Sequence, residues 1–442
     1  MVVIKIVKAV LIMGLTALAS VAHAVPDIQT WKGAQGAQVY YVHAPGLPIV
    51  DLQVTFNAGS ARDGKLSGLS SLTNHMLGMG AGGLDATEIA QRFEGVGAQF
   101  SQDSDRDMAS LKLRSLSQQK WLSPALDTLE LILAQPDFNK SDVERERKRY
   151  LSSLKREKQN PGSVAKRIFY KAVYDDHPYA NMPNGTEETL KAITVDDLKQ
   201  FFKRYYVAKN ATIAIVGDLS RKDAEALVER VMKRVPSGEA APLLPKVKEL
   251  KSGQVIRVAH PSTQTHILMG HPGNYRGDPD YFAMYLGNHA LGGSGLVARL
   301  SEEVREKRGL SYSVYSYFSP LARKGVFLAG MQTKNDQVDQ AVKVLRQTIK
   351  DYVDNGMSEK ELFASRKNIT GGFPLRIDSN KKILGYLAVI GFYKLPLTYL
   401  DDFNKKIESL TLKQIQETLR RRLHADRMIT VIVGGESAAP SQ

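Results

Sequence analysis

The chain has 442 residues, a formal charge of +14 from 60 lysines and arginines against 46 aspartates and glutamates, and no cysteine. That length exceeds one hydrophobic core and predicts two or more domains, while the absence of thiols excludes disulfide bracing, thiol catalysis and cysteine-held metal. The basic excess does not point to nucleic acid: the cations run through helical stretches such as ERERKRYLSSLKREK with glutamates between them, the pattern of a solvated face, and no aromatic–basic repeat offers base stacking.

Lys5 and Lys8 precede an apolar run, AVLIMGLTALASVA, and Ala22-His23-Ala24 fits a small-x-small cleavage site. Residues 1–24 therefore read as a cleaved secretory signal peptide, with export to a bacterial periplasm. No later stretch approaches the ~20 apolar residues of a bilayer-crossing helix, so no membrane span is expected.

Beyond the leader, PIVDLQVTFNAGS predicts a strand and GLSSLTNHMLGMG a helix, with Leu69, Leu72, Met76 and Met79 on one face and His75 on its flank. DATEIAQRFEGVGAQFSQDSDRDMASLKLRSL reads as a short helix and two strands that turn near DSDRD. KWLSPALDTLELILAQP and SDVERERKRYLSSLKREKQNP read as helices, the second ended by Pro161. His177, in HPYANMPNGTEE, reads as a loop residue that shapes a turn.

Residues 193–219, ITVDDLKQFFKRYYVAKNATIAIVGDL, align without gaps with residues 410–436, LTLKQIQETLRRRLHADRMITVIVGGE, at an offset of 217. Each segment holds a capping threonine, an amphipathic helix, a β-branched strand and a closing glycine. An offset near half the chain predicts two tandem domains, residues 25–235 and 254–442, joined by a Pro/Gly-bearing linker at 236–253. The fold class expected is α+β: in each half a mainly antiparallel sheet with helices packed on it, the halves arranged as a clamshell. In the second half, HPSTQTHILMGHPG reads as a strand that sends His266 and His271 to opposite faces, so that with His260 they form no metal site. LGGSGLVARL lacks the lysine of a phosphate loop and reads as a turn before a helix.

The order of these pieces, from the G-x-x-x-L-x-x-H-M-L helix through HPYANMPNGTEETLKAIT to IAIVGDL, resembles the pitrilysin/insulinase-type (inverzincin) zinc metallopeptidases, which include the mitochondrial processing peptidase. The resemblance covers nearly the whole chain after the leader. It implies a zinc helix with two ligating histidines four residues apart, a glutamate base just before the second, and a downstream glutamate as third ligand. Here the corresponding positions hold Ser71, Asn74, His75 and Ser153, with Glu157 one turn on as the only nearby carboxylate able to substitute. One imidazole falls short of the three protein ligands of a catalytic zinc site, and an amide has no basicity with which to activate water. The expectation is no metal in this chain, and His75 as a half-buried helix histidine with a backbone or side-chain partner.

GLVARLSEEVREKRGLSYSVYS resembles the family's substrate-side motif. It implies that Arg305 and Tyr312 contact substrate carbonyls and the tetrahedral intermediate, where fixed donors stabilise an oxyanion; the plainer reading is a helix cap and a packed strand residue. The asymmetry suggests the non-zinc-binding subunit of a periplasmic heterodimeric zinc endopeptidase, without catalytic residues in isolation. Its partner would be a homologous chain carrying the zinc, and its substrate a short or unfolded peptide added along a sheet edge. The alternative is a non-catalytic peptide-binding or scaffold protein of the same fold.

Overall fold

In a computed structural model, which describes residues 26–435, a six-stranded sheet forms the base of the first half. The leader expected over 1–24 lies outside the described residues. Strands β1 (Gln29–Lys32), β2 (Gln38–His43) and β3 (Ile49–Phe56) come first; a two-residue ladder of β4 (Gly80–Ala81) and β5 (Leu84–Asp85) stands apart; β6 (Gln99–Ser104), β7 (Ala109–Leu116) and β8 (Ala211–Gly217) complete the sheet. The spatial order is β1-β2-β8-β3-β7-β6, antiparallel throughout except for β2 and β8. Both faces of the central strand ATIAIVG are covered, and all its residues are buried, which is why it reads as an unbroken apolar run. The edge strand QFSQDS alternates between exposed and half-buried residues.

The helices of this half are α1 (Leu69–Met76), α2 (Ala86–Glu94), α3 (Gln119–Ala134), α4 (Lys140–Lys158), α5 (Pro161–Tyr174), α6 (Glu187–Ala192), α7 (Val195–Tyr205) and α8 (Arg221–Met232). Pro161 does not merely end α4. It occupies the first turn of α5, where its missing N–H costs nothing, and Asn160 caps that helix by accepting from Ser163 N. The charged helix α4 is also less solvated than its composition suggests, since Glu146 and Arg147 are buried with Val143 and Leu154.

The second half repeats the plan. Its strands are β9 (Gln254–Val258), β10 (Gln264–Pro272), β11 (Val314–Ser319), β12 (Val326–Lys334) and β13 (Ile429–Val433), and its helices α9 (Tyr281–Asn288), α10 (Val338–Asn355), α11 (Glu359–Gly372), α12 (Asn380–Phe392), α13 (Tyr399–Ser409) and α14 (Leu412–Arg422). The sheet order β9-β13-β10-β12-β11 reproduces β2-β8-β3-β7-β6, and again only one pair, β9 with β13, is parallel. The offset near 217 therefore holds for every strand of the second sheet. The two capping threonines act alike: Thr194 accepts from Asp197 N, and Thr411 from Gln414 N.

The halves are interlocked by an exchange of helices. α5 lies on β10 and β13, and its counterpart α12 lies on β8, β3 and β2. Phe169 and Val173 of α5 join a core with Leu268, Leu328 and Val431. Leu384, Leu387 and Ala388 of α12 join one with Tyr40, Val42, Ala214 and Val216. Each large aliphatic side chain so buried is worth roughly 1.5–3 kcal/mol, so the exchange holds the halves together independently of the linker. Close approach requires glycine here: a Cβ on Gly391 would lie 2.5 Å from the Tyr40 ring. Asp107, in the turn between β6 and β7, accepts from the hydroxyls of Tyr179 (2.7 Å) and Tyr393 (3.0 Å) and from Ala322 N (2.7 Å), again joining the halves. The stretch 236–253 has no helix or strand. It runs seated, with the Leu244 carbonyl accepting from Arg323 Nε (2.6 Å) and the Pro245 carbonyl from His177 Nε2 (3.1 Å).

Candidate functional site

Helix α1 starts from a left-handed Gly68 (φ 96°) without a side-chain cap of its own. The cap comes from upstream: the Asp63 carboxylate accepts from Gly68 N (2.7 Å) and Ser70 N (2.8 Å), two of the free donors of a first turn. Burial pushes the Asp63 carboxyl up to about 7, although these backbone donors pull the other way.

Asn74, where the resemblance places the base, directs its side-chain amide at protein groups. Its Nδ2 donates to the Asp103 carbonyl (2.9 Å), its Oδ1 accepts from the buried Tyr206 hydroxyl (3.0 Å), and its own carbonyl accepts from Gln102 Nε2 (2.5 Å). The amide thereby ties α1 to the β6–β7 hairpin and to the end of α7. A carboxylate here would face the Asp103 carbonyl without a donor.

His75 is half-buried and has a side-chain partner, distant in sequence. That partner is Glu146 of α4, whose Oε2 lies 2.8 Å from His75 Nε2 and whose side chain is 1 % exposed. Arg145 Nε (3.1 Å) and Arg149 Nη1 (3.1 Å) close around the same carboxylate. Burial raises the Glu146 pKa, but the His75 hydrogen bond and the two guanidinium groups outweigh it and hold the carboxyl below its usual value. Ser71 offers its carbonyl to the Tyr150 hydroxyl (3.4 Å). Ser153 is half-buried on α4, two turns beyond Glu146. Glu157 does not turn to His75: it accepts from Arg167 Nη2 (3.2 Å) and Asn184 Nδ2 (2.8 Å).

Sequence reasoning missed Glu146. The signal was present in the spacing Val143, Glu146, Arg147, Leu154, a buried stripe inside a charged helix. Even with Glu146 counted, the donors around α1 do not suit a hydrolytic zinc ion. The carboxylate is enclosed by two arginines, the hydroxyls of Ser71 and Ser153 are poor ligands when protonated, and no group of three His, Cys, Asp or Glu able to hold a metal exists among the described residues. His260, His266 and His271 are likewise separate. His271 is buried, with Nδ1 against the Pro272 carbonyl (2.7 Å) and Nε2 accepting from His424 N (3.1 Å); burial lowers its pKa to about 4. His260 Nε2 lies 3.1 Å from the Lys158 carbonyl, and His266 lies beside Gly162. His177 shapes its turn by accepting from Tyr179 N.

In the second half, the position 217 beyond Ser71 is Asn288, which exchanges hydrogen bonds with Ser316 (2.9 and 2.7 Å). The position beyond His75 is Gly292, in the π-helical turn His289–Gly293. After it come a short 3-10 turn, Gly295–Val297, and a π-helical segment, Ser301–Glu306, and Gly309 (φ 62°) then lets the chain reverse toward β11. This reversal sets the Arg305 guanidinium over the Tyr312 ring, 5.1 Å from its centre. Tyr312 is 85 % exposed, and Leu296 and Val297, on the earlier 3-10 turn, are 66 % and 86 % exposed. Among the described residues, the one carboxylate near Arg305 is its neighbour Glu306, at 3.5 Å. Arg299 and Arg308, by contrast, are held by Glu361 and Glu303. The structure thus pairs Arg305 with Tyr312 but uses neither to cap a helix or fill a core.

Comparisons with known proteins bear on the fold and the family. The family model described as insulinase (peptidase family M16) matches residues 38–187, and that described as peptidase M16 inactive domain matches residues 192–369. A crystal structure of a peptidase M16 inactive domain from Pseudomonas fluorescens is similar with a TM-score of 0.90 and 39 % identity, covering 94 % of this chain and 99 % of that one. The non-peptidase homolog YmxG of Helicobacter pylori is 25 % identical over 396 residues, 88 % of this chain and 90 % of that protein. The uncharacterized zinc protease YmxG of Bacillus subtilis is 24 % identical over 412 residues, 92 % of this chain and 98 % of that protein. The repeated fold, the order of motifs and these likenesses place the chain in peptidase family M16, the insulinase family.

Proposed function

We propose that this chain is the non-metal subunit of a two-chain M16 peptidase exported to the periplasm. The observation that carries this reading is the Arg305–Tyr312 pair, set against one another, with Tyr312 exposed and Arg305 meeting only the carboxylate of its chain neighbour Glu306. A guanidinium is always charged and a phenol donates one O–H; presented together they suit the carbonyl oxygen of an extended peptide as it gains negative charge. The hydrolytic metal would come from a homologous partner with a complete His-x-x-Glu-His helix. The exchanged helices make each chain one packed body, so a clamshell around the peptide would open between two chains. No helix among the described residues is long and apolar enough to cross a membrane.

The test mixes this chain with such a partner and follows cleavage of an unfolded peptide. Arg305→Ala and Tyr312→Phe should each lower kcat by roughly 100-fold, the usual effect of losing one oxyanion donor, with the zinc content of the complex unchanged. Full activity in both variants would leave only a scaffold or peptide-binding role.

A further inference from the structure

The second half contains a cavity of about 540 Å³ that the peptidase reading does not use. Its walls come from the segment after β10, from α9, from the connection leading into α12, and from α12 and α13 themselves. Two guanidinium groups, Arg276 and Arg376, face it together with the phenols of Tyr386 and Tyr399, and Val389 and Phe403 supply apolar wall.

Neither cation meets a carboxylate among the described residues, and Arg276 also holds a buried N–H without a partner. Arg276 Nε is buried without a hydrogen bond, and its guanidinium rests 5.4 Å from the Tyr393 ring centre. Arg376 faces the phenols of Tyr285 and Tyr386 and no carboxylate among the described residues. Lys382, also on the rim, is already engaged by the Leu375 carbonyl (2.7 Å) and by Asp378 (2.9 Å). Burial holds the Tyr386 and Tyr399 hydroxyls above their usual pKa, so both remain O–H donors. Some partly buried arginines of the fold are neutralised by carboxylates, as at Arg114–Asp51 and Arg299–Glu361, and others, such as Arg323 and Arg346, donate to protein carbonyls; the Arg276 Nε has neither kind of partner. Two unneutralised guanidinium forks over phenols and an apolar wall therefore ask for an anion with an apolar body.

We propose that this cavity binds a carboxylate carried on an aromatic or branched apolar group, the chemistry shared by the C-terminal residue of a peptide and by a free aromatic acid. The planar oxygen pair would lie in the guanidinium fork, the phenols would donate to its remaining lone pairs, and the side group would rest against Val389 and Phe403. This site is separate from Arg305 and Tyr312, so its failure and that of the peptidase reading are distinguishable.

Calorimetric titration of the isolated chain tests it, with N-acetylphenylalanine, its amide, inorganic phosphate, and a tetrapeptide ending in phenylalanine with a free or amidated terminus. The acid should bind at least ~10-fold more tightly than the amide. Arg376→Gln, a change at an exposed residue, should lower that affinity about 10-fold, while Arg305→Ala leaves it unchanged. Binding of the free-terminus tetrapeptide as tightly as the acid assigns the site to peptide ends; binding of the acid alone assigns it to small molecules. Equal affinity for acid and amide, displacement by equimolar phosphate, or no binding of any probe overturns the proposal.

Discussion

Helix α1 and the turn around Arg305 and Tyr312 treat their polar groups in opposite ways. On α1, the Asn74 side chain is spent within the protein and His75 is held by a buried carboxylate. On the turn, a guanidinium lies over a phenol with only its chain neighbour Glu306 beside it, while the phenol stands 85 % exposed. Satisfied groups stabilise a fold; groups left free in a defined geometry are available to something outside it. The polar groups of α1 are thus committed to the fold, while the Tyr312 phenol of the second half stands open to solvent.

The largest expected effect breaks the first side of that contrast. Asn74→Glu would bury a carboxylate against the Asp103 carbonyl and remove the amide donor, costing about 3 kcal/mol or more in urea unfolding. A mild loss accompanied by zinc binding in the Ser71→His, Asn74→Glu double variant would mean that the site is only dormant.

Next comes the joint between the halves. Gly391→Ala forces a methyl group into the Tyr40 ring and should cost about 2 kcal/mol, read by thermal unfolding. A neutral result would mean that α12 does not hold the halves together.

Glu146→Gln leaves His75 and two arginines around a neutral amide, and should cost about 1–2 kcal/mol at pH 7. The sign with pH follows from its lowered pKa. The stabilisation is present above the unfolded carboxyl range and lost as pH falls through the folded value, so the variant and the parent converge in acid. Asp63 acts the other way. Its carboxyl, at about 7 in the fold against 3.8 as a reference, favours the protonated native state, so its contribution declines as pH rises from about 4 to 7. Asp63→Asn should flatten that part of a stability–pH profile.

The smallest effect lies on the open side. Arg305→Ala and Tyr312→Phe should change stability by less than about 0.5 kcal/mol, because neither group supports a core. A large loss in either would move the pair from recognition to structure.

Much of this was legible in the sequence, for definite reasons. Helix α1 and strand β3 announce themselves by period, and the 217-residue repeat shows where a capping threonine, a helix and a buried strand recur together. The rest of the repeat is hidden because any apolar residue of suitable volume can fill an equivalent core position; Ser71 and Asn288 share a place and no chemistry. The helix exchange was not legible, since the apolar face of α5 does not say whose sheet it covers. Pro161 read as a terminator because proline breaks a helix from within; only the cap at Asn160 reveals that it begins the next. Glu146 was hidden by its neighbours, a run of arginines and lysines that reads as a wet surface until the buried stripe is counted.

The most direct measurement is elemental analysis of the isolated, zinc-dialysed chain alongside its His75→Ala variant. Neither should hold stoichiometric zinc, because His75 is already bound to Glu146 and no group of three His, Cys, Asp or Glu able to hold a metal lies among the described residues. One zinc per chain, lost on replacing His75, would contradict it.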